Sequence, residues 1–420
     1  MAGLTRRATQ PFPGAIRFDK SIVATVFVIF FFAILNVQAT SAIVPLCIVS
    51  VFSLYLLLYF RQLIFFLAYS KVFIAYPSIV LLSAMWSLTP GQSLYYGVQL
   101  CITILIGVLI GVSTTPRQLI RGLFAAMAIV AVVSVISGRT GPSAAGLVLI
   151  GVTGSKNMMG FVGLTLVASG MGILFDRLQP IIYRLAALGL MPLGAYIVAS
   201  VHSASATVAN AAFVVVFLGF LSLRYLPPFG KGLLIILAIT IVVPVSLMIY
   251  VELFDDAGEM MLQSLNKDRT MTGRTILWAK ADEWIEKAPE IGHGYRSFWL
   301  GHSTDGVGML HAFGQVDGRG FQFHDNFREI LVDTGWLGLA AFLSIALTFL
   351  AYTLGNAFLY PGPASAFIAS MYLLLIARSP VETIILVFSS STALLYACGT
   401  ASVMLSVRAA RHADTSKPAG

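Results

Sequence analysis

Charge is what this chain has least of: 10% of its residues are Asp, Glu, Lys or Arg, against 58% hydrophobic, at a mean hydropathy of +0.88. Such a composition cannot clothe a water-facing surface, which excludes an ordinary soluble domain. Cysteine is scarce too. Cys47, Cys101 and Cys398 all fall in apolar stretches, so neither a disulfide framework nor a cysteine metal site is implied, and each reads as a small packing residue. No His-Glu-x-x-His and no Asp-x-Asp occurs, which argues against a zinc hydrolase or a metal-dependent nucleotide-sugar transferase. No repeat of solenoid period is present, and the two halves share no evident pattern.

What is present is apolar length. About twelve runs of roughly 17 to 22 residues, each long enough to cross a hydrocarbon core as a helix, predict an all-α polytopic membrane protein. The expected spans are 21–37, 42–60, 72–88, 92–112, 118–137, 157–175, 181–200, 205–223, 231–252, 330–354, 364–381 and 384–405. Between Arg61 and Lys71 the piece QLIFFLAYS is too short to cross, and is expected as an interfacial or re-entrant turn. At the N-terminus a basic region, an apolar run and Val37-Gln38-Ala39 resemble a cleavable signal, although the run is long for one and a retained anchor is the reading favoured.

Basic residues alternate between connections. Arg6, Arg7, Arg17 and Lys20 precede the first span, Arg61 and Lys71 follow the second, and Arg117 and Arg121 the fourth. Arg177 and Arg184 follow the sixth, Arg224 and Lys231 the eighth, and Arg408, Arg411 and Lys417 close the chain. Because short basic loops stay cytoplasmic, both termini are expected inside, and the long segment between spans nine and ten outside. The expected division is a tail at 1–20, membrane region 21–252, a large extracytoplasmic loop 253–329, membrane region 330–405 and a tail at 406–420. The net charge of +8 is then a topology signal directed at anionic membrane lipids, and no nucleic-acid partner is implied.

The loop 253–329 holds about two thirds of the Asp and Glu residues, together with His293, His302, His311 and His324. Within it, Thr270 or Thr272 is expected to cap a helix running to about Ala288, where Pro289 stops it. Leu277, Ala281, Trp284 and Ala288 make one stripe, expected to lie flat on lipid headgroups, and Glu283 and Lys287 are spaced to pair. Arg274, in the first turn, would add a guanidinium to a helix start that already favours an anion. GHGYRSF at 292–298 reads as a turn bringing backbone close to its neighbour. In FHDNFREILVDTGWLGLAAF, Asp325 or Asn326 caps span ten, Gly335 and Gly338 allow close helix packing, and His324, a candidate base, stands close enough to Asp325 and Glu329 to be oriented by them. A neutral histidine at a helix mouth is by itself more often a structural feature than a catalytic one.

His324, Phe327, Glu329, Gly335, Gly338 and Leu339 together resemble the signature of the O-antigen ligase and polymerase family of bacterial envelope enzymes. Gly273-Arg274 through Trp278, then Pro289, Gly292, Gly294, Tyr295 and Phe298, are similar to the same family's loop start. TGSKNMMG at 153–160 and WSLTPGQSL at 86–94 resemble the branch containing succinoglycan-type exopolysaccharide polymerases. Asp325 departs from the family's usual Asn, which here comes one place later, and Arg328 from its usual apolar residue.

The resemblance implies a C-type glycosyltransferase-like fold in the bacterial inner membrane and an inverting transfer, without metal or cofactor. A glycan would leave an undecaprenyl diphosphate donor for the hydroxyl of an acceptor sugar. His324 and Arg274 are implied as catalytic; Arg139, Lys156, Asn157, Tyr295, Arg296, Arg328, Glu329 and Arg378 as substrate-binding. The acceptor would be a lipid-linked repeat unit in a polymerase, or lipid A core in a ligase. A chain-length-regulating co-polymerase and export machinery are the implied protein partners. Arg378 with Glu382 reads equally as a structural ion pair across Pro380. A lipid-linked sugar transporter would place polar residues at mid-membrane, where these spans have almost none, and a passive scaffold would need no loop chemistry.

Overall fold

The computed structural model describes residues 20–38, 42–143, 146–233, 274–301, 303–315, 318 and 320–415. Among these, eight helices are long and apolar enough to cross a membrane. They are α2 (Ile43–Tyr69), α4 (Pro90–Ser113), α5 (Pro116–Ser137), α6 (Lys156–Leu174), α7 (Ile181–Ser200), α8 (Ala204–Ser222), α12 (Asn326–Leu359) and α14 (Ser390–Thr415). Three shorter apolar helices join them, α1 (Lys20–Ile34), α3 (Val72–Leu82) and α13 (Pro363–Arg378). The expected span 231–252 lies outside the described residues beyond 233, as do Thr270, Thr272 and His302. The short helices α9 (Arg274–Lys287), α10 (Ser297–Leu300) and α11 (Thr304–Ala312) fill the segment before α12. A hairpin of β1 (Thr140–Ser143) and β2 (Gly146–Leu149) joins α5 to α6.

Helices pack where side chains shrink. A Cβ on Gly107 or Gly111 of α4 would come within 2.5 Å of Ala393 O or Thr400 Cβ of α14, and Gly163 of α6 and Gly194 of α7 leave similarly little room for each other. The connections gather at two ends. At one, Arg117 meets Asp176 at 2.6 Å, Arg121 meets Gln179, and Arg408 donates to Val112 O. At the other, Gln38 N reaches Val152 O, Ser390 donates to Asn36 Oδ1, and Trp86 Nε1 donates to Ile291 O. Several basic connections thus lie together, away from α9.

Four expectations change. QLIFFLAYS is no separate turn: α2 continues through it to Tyr69, bending where Tyr59 leaves helical geometry (φ −120°, ψ 15°). Residues 384–389 do not begin α14, because the N–H groups of Ile384 and Ile385 are taken by Asn326 Oδ1 (3.1 and 2.9 Å) and that of Leu386 by Thr392. The aromatic stripe of α9 lies on no headgroup surface. Leu277, Trp278, Ala281 and Trp284 instead build a second core with Phe298, Trp299, Phe323 and Val332.

The fourth concerns Gly335, which breaks α12 instead of packing it (φ 62°, ψ −164°). In an unbroken helix the N–H groups of Trp336 and Leu337 would satisfy the carbonyls of Val332 and Asp333. Here Trp336 N and Leu337 N go to Pro289 O and Glu290 O at 2.8 and 3.0 Å. The stranded carbonyls accept from His293 N and Gly294 N, both at 2.9 Å. Segment 289–294 therefore replaces one turn of helical bonding, and each group left unmet would cost about 1–3 kcal/mol. The far side of the segment is gripped by the corner between α3 and α4. Leu88 N reaches His293 O, Ser83 Oγ accepts from Tyr295 N, and Ser93 Oγ donates to Tyr295 O.

A Cβ at Gly335 would meet Glu290 O and Ile291 N at 2.5 Å in a backbone conformation L-residues avoid. Gly335→Ala is expected to lower stability by about 3 kcal/mol. Gly355→Ala, in the same helix with nothing within 4 Å, serves as the neutral control; thermal unfolding of the two variants in detergent makes the comparison.

Candidate active site

Residue 324 is built from both sides. Phe323 is buried, its N–H donating to Glu329 Oε2 (2.8 Å) and its carbonyl accepting from Trp278 Nε1 (3.0 Å). On the other side Asp325 caps α12, accepting from the N–H groups of Phe327 (2.8 Å) and Arg328 (3.1 Å). Held between these anchors, His324 adopts φ 56°, a left-handed conformation sparsely used outside glycine and characteristic of functional sites. Its side chain is 25% exposed, and its Nδ1 is buried with no hydrogen-bond partner.

Nδ1 faces Glu382 Oε1 at 3.6 Å. The other oxygen of Glu382 lies 3.7 Å from Arg274 Nη2, while Arg274 Nη1 donates to Val381 O at 2.7 Å. Gln322 Nε2 also reaches Glu382 Oε1, at 3.5 Å. One carboxylate on the 379–389 connection therefore joins the histidine of the α12 mouth to the first residue of α9. Arg378 stands just ahead of that connection, its guanidinium 5.5 Å from the ring centre of Phe161 on α6 and within electrostatic reach of Glu382. Among the described residues that guanidinium takes no hydrogen bond. Asn157 lies one helical turn before Phe161.

Burial alone would raise the Glu382 carboxyl. The nearby cationic groups His324, Arg378 and Arg274 outweigh it and hold the carboxyl below its ordinary value of 4.5. For Arg274, burial lowers the guanidinium and Glu382 offsets part of that. Asp325 is raised by burial, against the opposing pull of Arg328.

The connection bearing Glu382 is positioned independently of that carboxylate. Asn326 N donates to Ser379 O (2.8 Å), Asn326 Oδ1 binds the two N–H groups already described, and Phe388 N reaches Thr103 Oγ1 of α4 (2.8 Å). The exchange of Asp and Asn at 325 and 326 thus divides two tasks, Asp325 capping the helix and Asn326 holding the connection.

The other expected residues fall elsewhere. Tyr295, Arg296 and Glu329 are buried, with Arg296 only 2% exposed. Arg296 Nη1 meets Glu329 Oε1 at 3.1 Å, Nη2 donates to Gly318 O, and its backbone N–H meets Asp333. Trp299 Nε1 adds to the same Glu329 oxygen, so this group ties the loop core to α12. Arg328 spans Asp325 (2.6 Å) and Asp282 (2.8 and 3.2 Å), clamping α9 to α12 while its guanidinium lies over Trp278. Arg139 reaches Gln38 at 3.4 Å, and Lys156 reaches Ser143 at 3.2 Å, at the hairpin. The expected Glu283–Lys287 pair forms at 2.7 Å. An expected Arg378–Glu382 pair gives way to Glu382 contacts with Arg274 and His324. A carboxylate in SPVETIIL, an apolar stretch, was the available signal for Glu382, but spacing pointed only to Arg378.

Glu382 ionises below its unfolded value, so its contribution to stability is full above pH 4.5 and is lost as pH falls through the lowered folded value. Glu382→Gln is therefore expected to melt somewhat below wild type at neutral pH, the gap closing on acidification below about pH 4. Thermal melts across pH read this out; a gap independent of pH would contradict the assignment.

Residues 190–343 match the O-antigen ligase family, a stretch that takes in α9, His324 and the Gly335 break but neither the 83–93 corner nor TGSKNMMG. The chain is also similar to the exopolysaccharide production protein ExoQ of Rhizobium meliloti (strain 1021). The two are 29% identical over 279 residues, covering 65% of this chain and 63% of that protein, less than two thirds of its length.

Proposed function

We propose that this multi-pass membrane protein, whose residues 190–343 match the O-antigen ligase family, is a glycosyltransferase that polymerises polyprenyl-diphosphate-linked repeat units into an extracellular polysaccharide. The observation that carries the reading is the convergence of His324 and Arg274 on Glu382 at one end of the helix bundle. Similarity to an exopolysaccharide production protein favours a polymerase over a ligase acting on lipid A core. On this reading the site faces outward from the inner membrane and both termini are cytoplasmic, as the basic connections imply.

The chemistry follows from the groups present. The oxygen of an acceptor sugar hydroxyl attacks the anomeric carbon of the donor glycan, and its proton passes to His324 Nε2. The bond from that carbon to the diphosphate oxygen breaks, and the polyprenyl diphosphate departs with the electron pair. Arg274 and Arg378 oppose the negative charge gathering on it. In-line attack from the face opposite the leaving group inverts the anomeric centre. No metal or cofactor enters these steps. Asn157, one turn before the Phe161 ring that Arg378 faces, would contact the donor; Arg139 and Lys156, at the hairpin, would meet the longer glycan or lipid phosphates. A co-polymerase and export machinery would act on the product.

Purified protein in lipid nanodiscs, supplied with lipid-linked oligosaccharide, tests the reading by product length on gels. Wild type is expected to build a ladder of repeats. His324→Ala should lose about a thousandfold in rate with donor binding intact, and Arg274→Ala should lose both rate and affinity. Wild-type activity surviving in His324→Ala would refute the assignment, and capped lipid-linked polymer moved to lipid A core would favour the ligase.

A further inference from the structure

The Glu382 carboxylate is shared and committed to neither neighbour. Its two ionic contacts, 3.6 Å to His324 Nδ1 and 3.7 Å to Arg274 Nη2, lie within ion-pair range but beyond hydrogen-bond distance, and the neutral Gln322 amide reaches Oε1 only at 3.5 Å. At the same place His324 Nδ1 is buried without a hydrogen-bond partner, a condition a small movement of the carboxylate would relieve. The connection carrying Glu382 is already fixed by Asn326 and Thr103, so holding the backbone is not the carboxylate's task.

Resting on the glycosyltransferase reading, we propose that Glu382 is a positioning residue that couples arrival of the donor diphosphate to the competence of His324 as a base. A diphosphate carries more charge than a carboxylate and offers several acceptor oxygens, so it displaces Glu382 from Arg274 Nη2. Arg274 stays in place through its Nη1 bond to Val381 O. Released on that side, Glu382 closes on His324 Nδ1.

The consequence concerns the tautomer. A neutral imidazole has one N–H, and the hydrogen bond made by one nitrogen decides which nitrogen carries it. With Nδ1–H donated to Glu382, Nε2 keeps its lone pair for the acceptor hydroxyl. Glu382 gains no proton; it stabilises the imidazolium that forms when Nε2 takes one. Without donor the ring is unoriented, so the base is assembled only when a leaving group is present. The charged groups facing this corner are Arg274 from α9, Arg378 from the end of α13, and Glu329 of α12, which is occupied with Arg296. Asp325, at the start of α12, is occupied with Arg328.

The test compares wild type, Glu382→Gln and Glu382→Asp as full-length protein in nanodiscs. Binding is measured with undecaprenyl diphosphate, and turnover with lipid-linked oligosaccharide across pH. Glu382→Gln is expected to bind undecaprenyl diphosphate as tightly as wild type or up to about tenfold more tightly, having lost a competing anion. Its turnover should fall about a hundredfold. The acid limb of its rate profile should move about one pH unit lower, since the carboxylate that favours imidazolium is gone. Glu382→Asp should recover the limb. Glu382→Gln turning over within about threefold of wild type with an unmoved limb, or binding undecaprenyl diphosphate tenfold more weakly, would overturn the coupling and leave the glycosyltransferase reading standing. Wild type that neither binds undecaprenyl diphosphate nor extends a chain would overturn both.

Discussion

Four backbone hydrogen bonds at the break in α12 dock the segment after α9 onto the membrane-spanning part of the protein. Gly335 removes two bonds from the helix and exposes two carbonyls, and 289–294 supplies a partner for each of the four groups. Inside a bilayer such groups would have no water to turn to, so helix and loop stabilise each other's irregular backbone. Because Gly292 and Gly294 also adopt left-handed φ, the loop approaches α12 at backbone distance. That docking anchors the chain just past the end of α9, while Arg328 with Asp282 ties α9 itself to the mouth of α12 where His324 stands.

Two kinds of ion pair serve the docked loop. Arg296 and Glu329 are almost fully buried; Glu329 also accepts from Trp299 and Phe323, and Arg296 donates to Gly318 O, the condition under which a buried charge is tolerated. Removing one partner there strands the other, so the group behaves as a fixed fastening. Arg274, Glu382 and His324 are partly open, 15%, 15% and 25% exposed, and their contacts are long. The site thus combines a rigid frame with a carboxylate free to choose between two partners.

Apolar length made nearly all the membrane helices legible in the sequence, because hydropathy and backbone satisfaction both demand helix there. It failed where side chains replaced helical bonds: Asn326 takes over at 384–385, and no hydropathy pattern reveals an amide on another element. QLIFFLAYS misled because two cations bracketed it, although α2 carries Arg61 just past its kink at Tyr59 and ends two residues before Lys71. The Trp stripe of α9 showed its periodicity but not its partner, since Phe298, Trp299 and Phe323 look like ordinary loop residues. In the site, His324 and Arg274 were readable from motif order, and the structure brings them to one carboxylate. Arg296 and Glu329, implied by the resemblance as substrate-binding, are buried in the frame, paired with each other. Glu382 escaped because its partners lie far off in sequence, 58 and 108 residues away.

The most direct measurement is a cryo-EM structure of the full-length protein with undecaprenyl diphosphate bound. The account predicts phosphate oxygens within hydrogen-bond distance of Arg274 and Arg378, with the His324 Nδ1 to Glu382 distance shortened below about 3 Å. A diphosphate seated at Arg139 and Lys156, with Glu382 still shared between Arg274 and His324, would contradict it.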